Sequence, residues 1–466
     1  MKKETGLQQL VYDYFETRIL FGFYRYGDKL PSIQQIGAMF HLGRTTVRAA
    51  LSLLEKEGYI VTEERKTAVV VFRAGFDGFE ENAAKYFIPR REGMEDFEKA
   101  GLLLFVPLWE EGLRRWDQKK WELFRDELEF TLPSGVPLPV ELYIMALSTL
   151  DNTLILNLYW EGIRYVRFPY LVSKRVKGIN GTKLKDITRE TMITLLNQEF
   201  ETSYGYLEKK VFGFMESAKN EYGLKDAEPI PFQWNIYRQR PQMRYSLASL
   251  IIREIMYGRY PIGGYLPTLV QMEEQFGVSL TTVRRTLSLL EELGITKSYQ
   301  GKGTMVCMDH ANINLSNPGI KKGFILYMES LQLLNLTIYG ISLYTLQSVT
   351  RERRDELKEK LKKNRKSKKS SNCFEIYLIF IMKECPSAMV RECYGKLLEL
   401  LAWGYPFTVL RLNIENLDKR YSGNIRQMEK HLEEDNLTAF AQDWKDLLES
   451  EERANHAFMT ETFGNK

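Results

Sequence analysis

One polar cluster occurs twice in this chain of 466 residues. Arg44, Thr45, Thr46 and Arg48 lie in GRTTVRAALSLLEKEG (43–58). Ser279, Thr281, Thr282, Arg284 and Arg285 lie in SLTTVRRTLSLLEELG (279–294), at an offset of 236 residues. A guanidinium is a planar fork of donors that grips phosphate oxygens, or the O6/N7 edge of guanine, through two bonds. Serine and threonine hydroxyls reach phosphates and base edges. The cluster therefore suits recognition of a nucleic acid. No GxSxG, P-loop, HExxH or paired-carboxylate pattern occurs in a suitable context, so the chain reads as a non-enzyme.

The spacing names the elements that must hold these groups. Val47, Ala50, Leu51 and Leu54 recur at helical intervals and predict an inward face. Thr45, Arg48, Ala49 and Ser52 then point outward, as do Thr281, Arg284, Arg285 and Ser288 in the second copy. Upstream, Ser32 and Thr268 each precede a glutamine by three residues (Gln35, Gln271), which predicts capping boxes opening short helices over 33–40 and 269–276. Earlier amphipathic helices are predicted over 7–22 and 243–258. Downstream, Tyr59–Thr62 and Thr67–Phe72 alternate like a hairpin, and GKGTMV (301–306) is the second copy's return strand with a glycine tip. This order is a winged helix-turn-helix. Residues 17–72 align with 253–308 without a gap, matching at Ile19/Ile255, Gly27/Gly263, Leu30-Pro31/Leu266-Pro267 and Phe40/Phe276 among others. Solenoid units span roughly 20–50 residues, so the longer period points to duplication of a whole protein.

Both segments resemble the winged-helix domain of the GntR family of bacterial transcription regulators. The first carries LPS (30–32), GRTTVR (43–48) and EG (57–58), with RKTAVV (65–70) where the wing glycines belong. The second carries LPT (266–268), VSLTTVR (278–284), LG (293–294) and GKGT (301–304). The resemblance implies a DNA-binding transcription regulator, a repressor, with double-stranded DNA as partner. It implies Arg44 as the base-reading arginine, and Thr45, Thr46, Ser279, Thr281 and Thr282 on phosphates or bases. Arg48 and Arg284 fall on phosphates, as do Ser32 and Thr268 at the second helix. Lys302 and Gly303 bring the wing to the minor groove. The copies depart from the pattern differently. The first lacks wing glycines and sets Glu63 and Glu64 nearby, whereas the second has Leu280 in place of the arginine, with Arg285 as a substitute. Two unequal readers predict an imperfect palindrome.

Long amphipathic patterns follow each reader, for example 95–116, 138–152 and 426–450, and predict two all-helical bundles. The expected organisation is reader 1–75, bundle 76–235, reader 236–310 and bundle 311–466: a mainly α chain acting as a pseudo-dimeric monomer, or as a homodimer. The bundles weakly resemble the ligand-sensing domain of FadR-type GntR proteins, through VELYIMALSTLDNTLILNLYWEGIRYVRFPYL (140–171), FEIYLIFIMKECP (374–386) and KHLEEDNLTAFAQDW (430–444). Trp109, Trp116, Trp121 and Trp160 gather in the first bundle. Trp160 with Arg164 and Arg167 would suit an organic-acid effector, although core tryptophans and solvated arginines are the plainer reading. The run ELKEKLKKNRKSKKSS (356–371) reads as a mobile linker, and Gly323–Val349 as a buried helix pair. Tandem winged helices also fit a plasmid-type replication initiator or a scaffold, and these alternatives stay open.

Bulk properties set limits. A net charge of +4 places any nucleic-acid surface locally. Four cysteines without a CxxC pair suggest reduced thiols in the cytoplasm, and MKKETGLQQLVYDYFE lacks the apolar run of a secretion signal. The metal-binding members of the resembled branch use an Asp and three His, but Leu142-Tyr143 stands at their Phe-His. The histidines are His41, His310, His431 and His456 alone, the last two reading as surface residues. No cofactor is expected, and elemental analysis of purified protein should find no stoichiometric zinc, nickel or manganese. One metal per chain would overturn this reading.

Overall fold

Short capped helices and a hairpin build each reader. In the computed structural model, residues 4–40, 42–63, 66–73, 76–119, 121–122, 138–167, 188–236, 243–256, 258–308, 318–412 and 414–463 are described. His41, Glu64 and His310 lie outside them. The chain divides into two compact units, Met1–Gln233 and Trp234–Lys466.

In the first unit, α1 (Glu4–Leu20), α2 (Ile33–Phe40) and α3 (Arg44–Lys56) pack together, and β1 (Ile60–Val61) pairs antiparallel with β2 (Val69–Val70). The bundle follows as α4 (Phe76–Phe87), α5 (Arg91–Leu104), α6 (Val106–Arg114), α7 (Leu138–Ser148), α8 (Thr153–Val166) and α9 (Arg189–Glu221). Buried Val47, Ala50, Leu51 and Leu54 form the inward face of α3, as the spacing requires. Trp109, Trp116 and Trp121 are core side chains. Trp109 stacks on Tyr143 at 4.3 Å, and its indole N–H donates to Asn197 at 2.8 Å. Trp160 is half-buried beside Tyr159.

The second unit repeats the reader as α10 (Met243–Met256), α11 (Leu269–Phe276), α12 (Leu280–Glu292), β3 (Thr296–Tyr299) and β4 (Gly303–Val306). Its bundle comprises α13 (Pro318–Ser348), α14 (Arg351–Lys366), α15 (Cys373–Glu384), α16 (Ala388–Leu401), α17 (Gly404–Leu412), α18 (Ile414–Glu433) and α19 (Leu437–Phe463). Three expectations are corrected here. The 323–349 stretch belongs to one continuous helix, α13, because no proline interrupts it. That helix is long and apolar enough to cross a membrane, but it lies against α16 and α19, with 67% of its most apolar window buried. The lysine run is no linker: Leu357 and Leu361, four residues apart, bury one stripe of α14, and Arg365 grips Glu429 of α18 at 2.7 and 2.8 Å. His431 is not a surface residue, because α18 packs on α19 and brings its ring 2.7 Å from Asp443; His456 is exposed.

Each reader rests its first helix on its own bundle, α1 on α8 and α10 on α16. Buried charge accompanies both contacts. Arg164 grips Asp13 of α1 at 2.7 and 2.9 Å, and Arg167 pairs with Glu16 at 2.9 Å. Burial pushes the Glu16 carboxyl up despite Arg167. In the second unit the polarity is reversed: Arg253 of α10 pairs at 2.9 Å with Glu375 of α15, whose carboxyl burial likewise raises. Arg164→Ala is expected to leave the Asp13 carboxylate with the Gln9 amide but no counter-ion, and to cost about 1.5–3 kcal/mol of stability. The measurement is a urea titration, which should show a lower midpoint at unchanged slope.

Candidate nucleic-acid interface

Each reader caps the helix before its recognition helix and ties the recognition helix to the wing. At the front, the Ser32 hydroxyl oxygen accepts from the Gln35 amide (3.2 Å), while the Gln35 side chain accepts from the Ser32 amide (2.8 Å). Thr268 and Gln271 repeat the box at 3.3 and 2.9 Å. These boxes satisfy amides that would otherwise be unpaired at the start of α2 and α11. At the back, Glu55 accepts from both the amide and the hydroxyl of Thr62 at 2.6 Å, tying α3 to the wing. Those bonds hold the Glu55 carboxyl below the usual range. In the second copy Glu291 accepts from the Ser298 amide at 3.3 Å. The sequence reading missed this tie, although its signal was present in the glutamate that ends both SLLE repeats.

A third segment completes each wing. Gly27 and Gly263 donate to the carbonyls of Val70 and Val306 at 2.9 and 2.8 Å, and Lys29 and Tyr265 bridge to Val69 and Met305. Both glycines have left-handed φ, 87° and 84°, which side chains rarely adopt.

The outward face is as the helical spacing requires, but Thr46, which the resemblance implies as a DNA contact, is not on it. Arg44, Thr45, Arg48, Thr281, Arg284 and Arg285 are exposed. Thr46 is 6% exposed, so its side chain packs inward and its equivalent Thr282 is half-buried. Ser279 caps α12, its hydroxyl oxygen accepting from the Thr282 amide at 3.3 Å, whereas Gly43 opens α3 with no side-chain cap. Ser32 is half-buried and Thr268 exposed. Among the described residues, no carboxylate forms an ion pair with Arg44, Arg48, Arg284 or Arg285.

The readers differ in ways the residues alone did not display. At the start of α12, the Glu273 carboxylate accepts from the Leu280 amide at 3.0 Å; the equivalent of Glu273 in the first copy is Gly37. The wing turns share one hydrogen bond, Lys66 N–H to Glu63 O and Lys302 N–H to Tyr299 O, both 3.1 Å. Lys66 is therefore the counterpart of Lys302. Its ammonium lies 2.5 Å from Glu63 in an exposed pair, whereas Tyr299 stands at the glutamate's position in the second copy. Gly301 and Gly303 flank Lys302 with φ of 74° and 102°. Arg164 and Arg167, expected to line an effector pocket with Trp160, have guanidiniums occupied by α1 carboxylates.

Two segments, residues 7–70 and 245–306, match the family described as bacterial regulatory proteins, gntR family. Among curated proteins, the mannosyl-D-glycerate transport/metabolism system repressor MngR of Escherichia coli is 36% identical over 80 residues, 17% of this chain and 30% of that protein. The HTH-type transcriptional repressor STM4068 of Salmonella typhimurium is 36% identical over 61 residues, 13% of this chain and 25% of that protein. The chain thus spans under a third of the length of these relatives. A solved Streptococcus agalactiae GntR aligns over 46% of this chain and 98% of its own at 16% identity, with a TM-score of 0.19. The chain carries two GntR-type winged helices in tandem, within a mainly α fold.

Proposed function

From two GntR-type winged helices in one chain, we propose a sequence-specific, DNA-binding transcription regulator that acts in the cytoplasm as a repressor. The observation that carries this reading is the pair of exposed arginine and threonine faces on α3 and α12, each preceded by a capped helix and tied to a wing. The names of the relatives, both repressors, support it. The four-part organisation, reader and bundle twice over, supplies both halves of a dimeric regulator from one polypeptide. Fusion replaces association with an intramolecular event.

In this reading, α3 and α12 enter successive major grooves, about 34 Å apart. Arg44 reads a guanine edge in one half-site, and Arg285 takes over in the other, where Leu280 cannot donate. Arg48 and Arg284 hold phosphates, with Ser32, Thr45, Thr268, Thr281 and Thr282 as shorter donors. Lys302 approaches the minor groove from its wing, and Lys66 contributes less because Glu63 offsets its charge.

Arg44→Ala should cost about 1–3 kcal/mol on the cognate sequence and relax the preference at one position. Lys302→Ala should weaken all sequences alike and flatten the salt dependence. Titrations on operator variants separate the two, and equal loss on every sequence for Arg44→Ala would remove it from base reading. Stoichiometry is the second test. Light scattering with a short duplex should give one chain per imperfect palindrome, with a protected stretch of about 15–20 base pairs expected from two half-sites. Two chains per duplex would make the chain a protomer, and protection of several direct repeats would favour a replication initiator.

A further inference from the structure

We propose that the second unit holds a small-molecule site where its reader meets its bundle, and that this site takes an uncharged, hydroxyl-bearing organic molecule of short-chain diol type. The proposal rests on the regulatory reading only for its consequence, since binding itself needs no DNA.

The site is a cavity of about 70 Å³. Its apolar lining spans both parts of the unit: Met256 from the last turn of α10, Leu331 from α13 and Phe374 from α15. Its polar lining includes Thr408, Tyr327, Tyr421 and Glu451. Glu451 is 2% exposed and is held by Arg411 at 2.8 Å and by Arg420. Thr408 is 7% exposed; its hydroxyl donates to the Gly404 carbonyl at 2.8 Å and accepts from the Tyr327 phenol, which leaves one lone pair on its oxygen.

The charges select the ligand class. Glu451 with its two arginines sums to one net positive charge, which disfavours a cation. Glu451 alone of the three lines the cavity, so an anion would face a carboxylate. A neutral molecule meets neither penalty. Each Glu451 oxygen retains acceptor capacity beyond its arginine bond, which a ligand hydroxyl fills. Burial pushes both phenols up, so they stay protonated; Tyr327 accepts from Asn455 at 3.2 Å and gives its proton to Thr408, which leaves Tyr421 as the donor for a ligand. The carbon skeleton lies against Met256, Leu331 and Phe374. A dry cavity of about 150 Å³ holds the six carbons of benzene, so this one encloses about three non-hydrogen atoms and a longer ligand extends beyond it.

The position gives the ligand something to act on. Met256 follows Arg253 by one helical turn, and Phe374 directly precedes Glu375. A molecule in the cavity therefore touches a near neighbour in the chain of each member of the Arg253–Glu375 pair that joins reader to bundle. Binding that prefers one setting of that joint shifts the population of reader orientations.

The test uses the full chain carrying ¹³C-methyl methionine, with the Met256 resonance assigned through Met256→Leu. Propane-1,2-diol is titrated in the absence of DNA, beside lactate and 1-aminopropan-2-ol, which keep the size but carry a charge. The expected result is a saturable Met256 shift with the diol and at least tenfold weaker responses with both charged probes. Thr408→Val, which removes the acceptor, and Leu401→Phe, which fills the space, should each weaken the diol response at least tenfold. A linear or absent shift, equal responses to all three probes, or a diol response unchanged in both variants would overturn the proposal. Because the readout omits DNA, its failure leaves the regulatory reading standing. A protein that binds the diol but protects no DNA would sink that reading and not this one.

Discussion

A charge removed from water is tolerated only against an opposite charge, and this constraint fastens each reader to its bundle. Asp13 and Glu16 on α1 meet Arg164 and Arg167, while Arg253 on α10 meets Glu375. Polarity is reversed between the units, because the repeat equivalents of Asp13 and Arg253 are Ser249 and Thr17, both buried and uncharged. A first helix seated on the wrong bundle would bring Asp13 and Glu16 toward Glu375, or strand Arg253 among arginines. The pairs thus serve specificity as much as stability. They also make each joint responsive, since a buried pair is sensitive to anything placed beside it.

The readers built on these joints share a scaffold and differ in what they show. Capping boxes, the glutamate tie to the wing and the Gly27/Gly263 strand contact recur in both. On the outward positions the copies differ at Arg44 against Leu280, Ala49 against Arg285, and a wing-tip lysine offset by Glu63 against one beside Tyr299. Scaffold positions answer to packing and to backbone groups that must be bonded. Outward positions answer to the partner alone, so duplication leaves them free to drift.

Proline placement constrains both bundles. In the first, Pro89 and Pro107 stand near the starts of short helical segments and the proline-free α9 runs 33 residues; in the second, α13 begins at Pro318 and runs 31 residues. Proline lacks the amide that a helix interior requires, so both long helices keep it out of their interiors.

The sequence by itself determined the readers. Helix spacing, capping pairs and turn glycines are local signals, and the second helices fall where those signals end, at 33–40 and 269–276. It determined the outward arginines for the same reason, since a helix period assigns faces without knowledge of what packs on them. The tertiary structure decided whatever depends on a distant partner. Thr46 turned inward, the lysine run became a packed helix, and His431 met Asp443, each through contact with another element. Arg164 and Arg167 looked available for a ligand because their carboxylates lie some 150 residues earlier. The titratable group of a side chain is written in its own residue, but its partner is written wherever the fold brings the chain back.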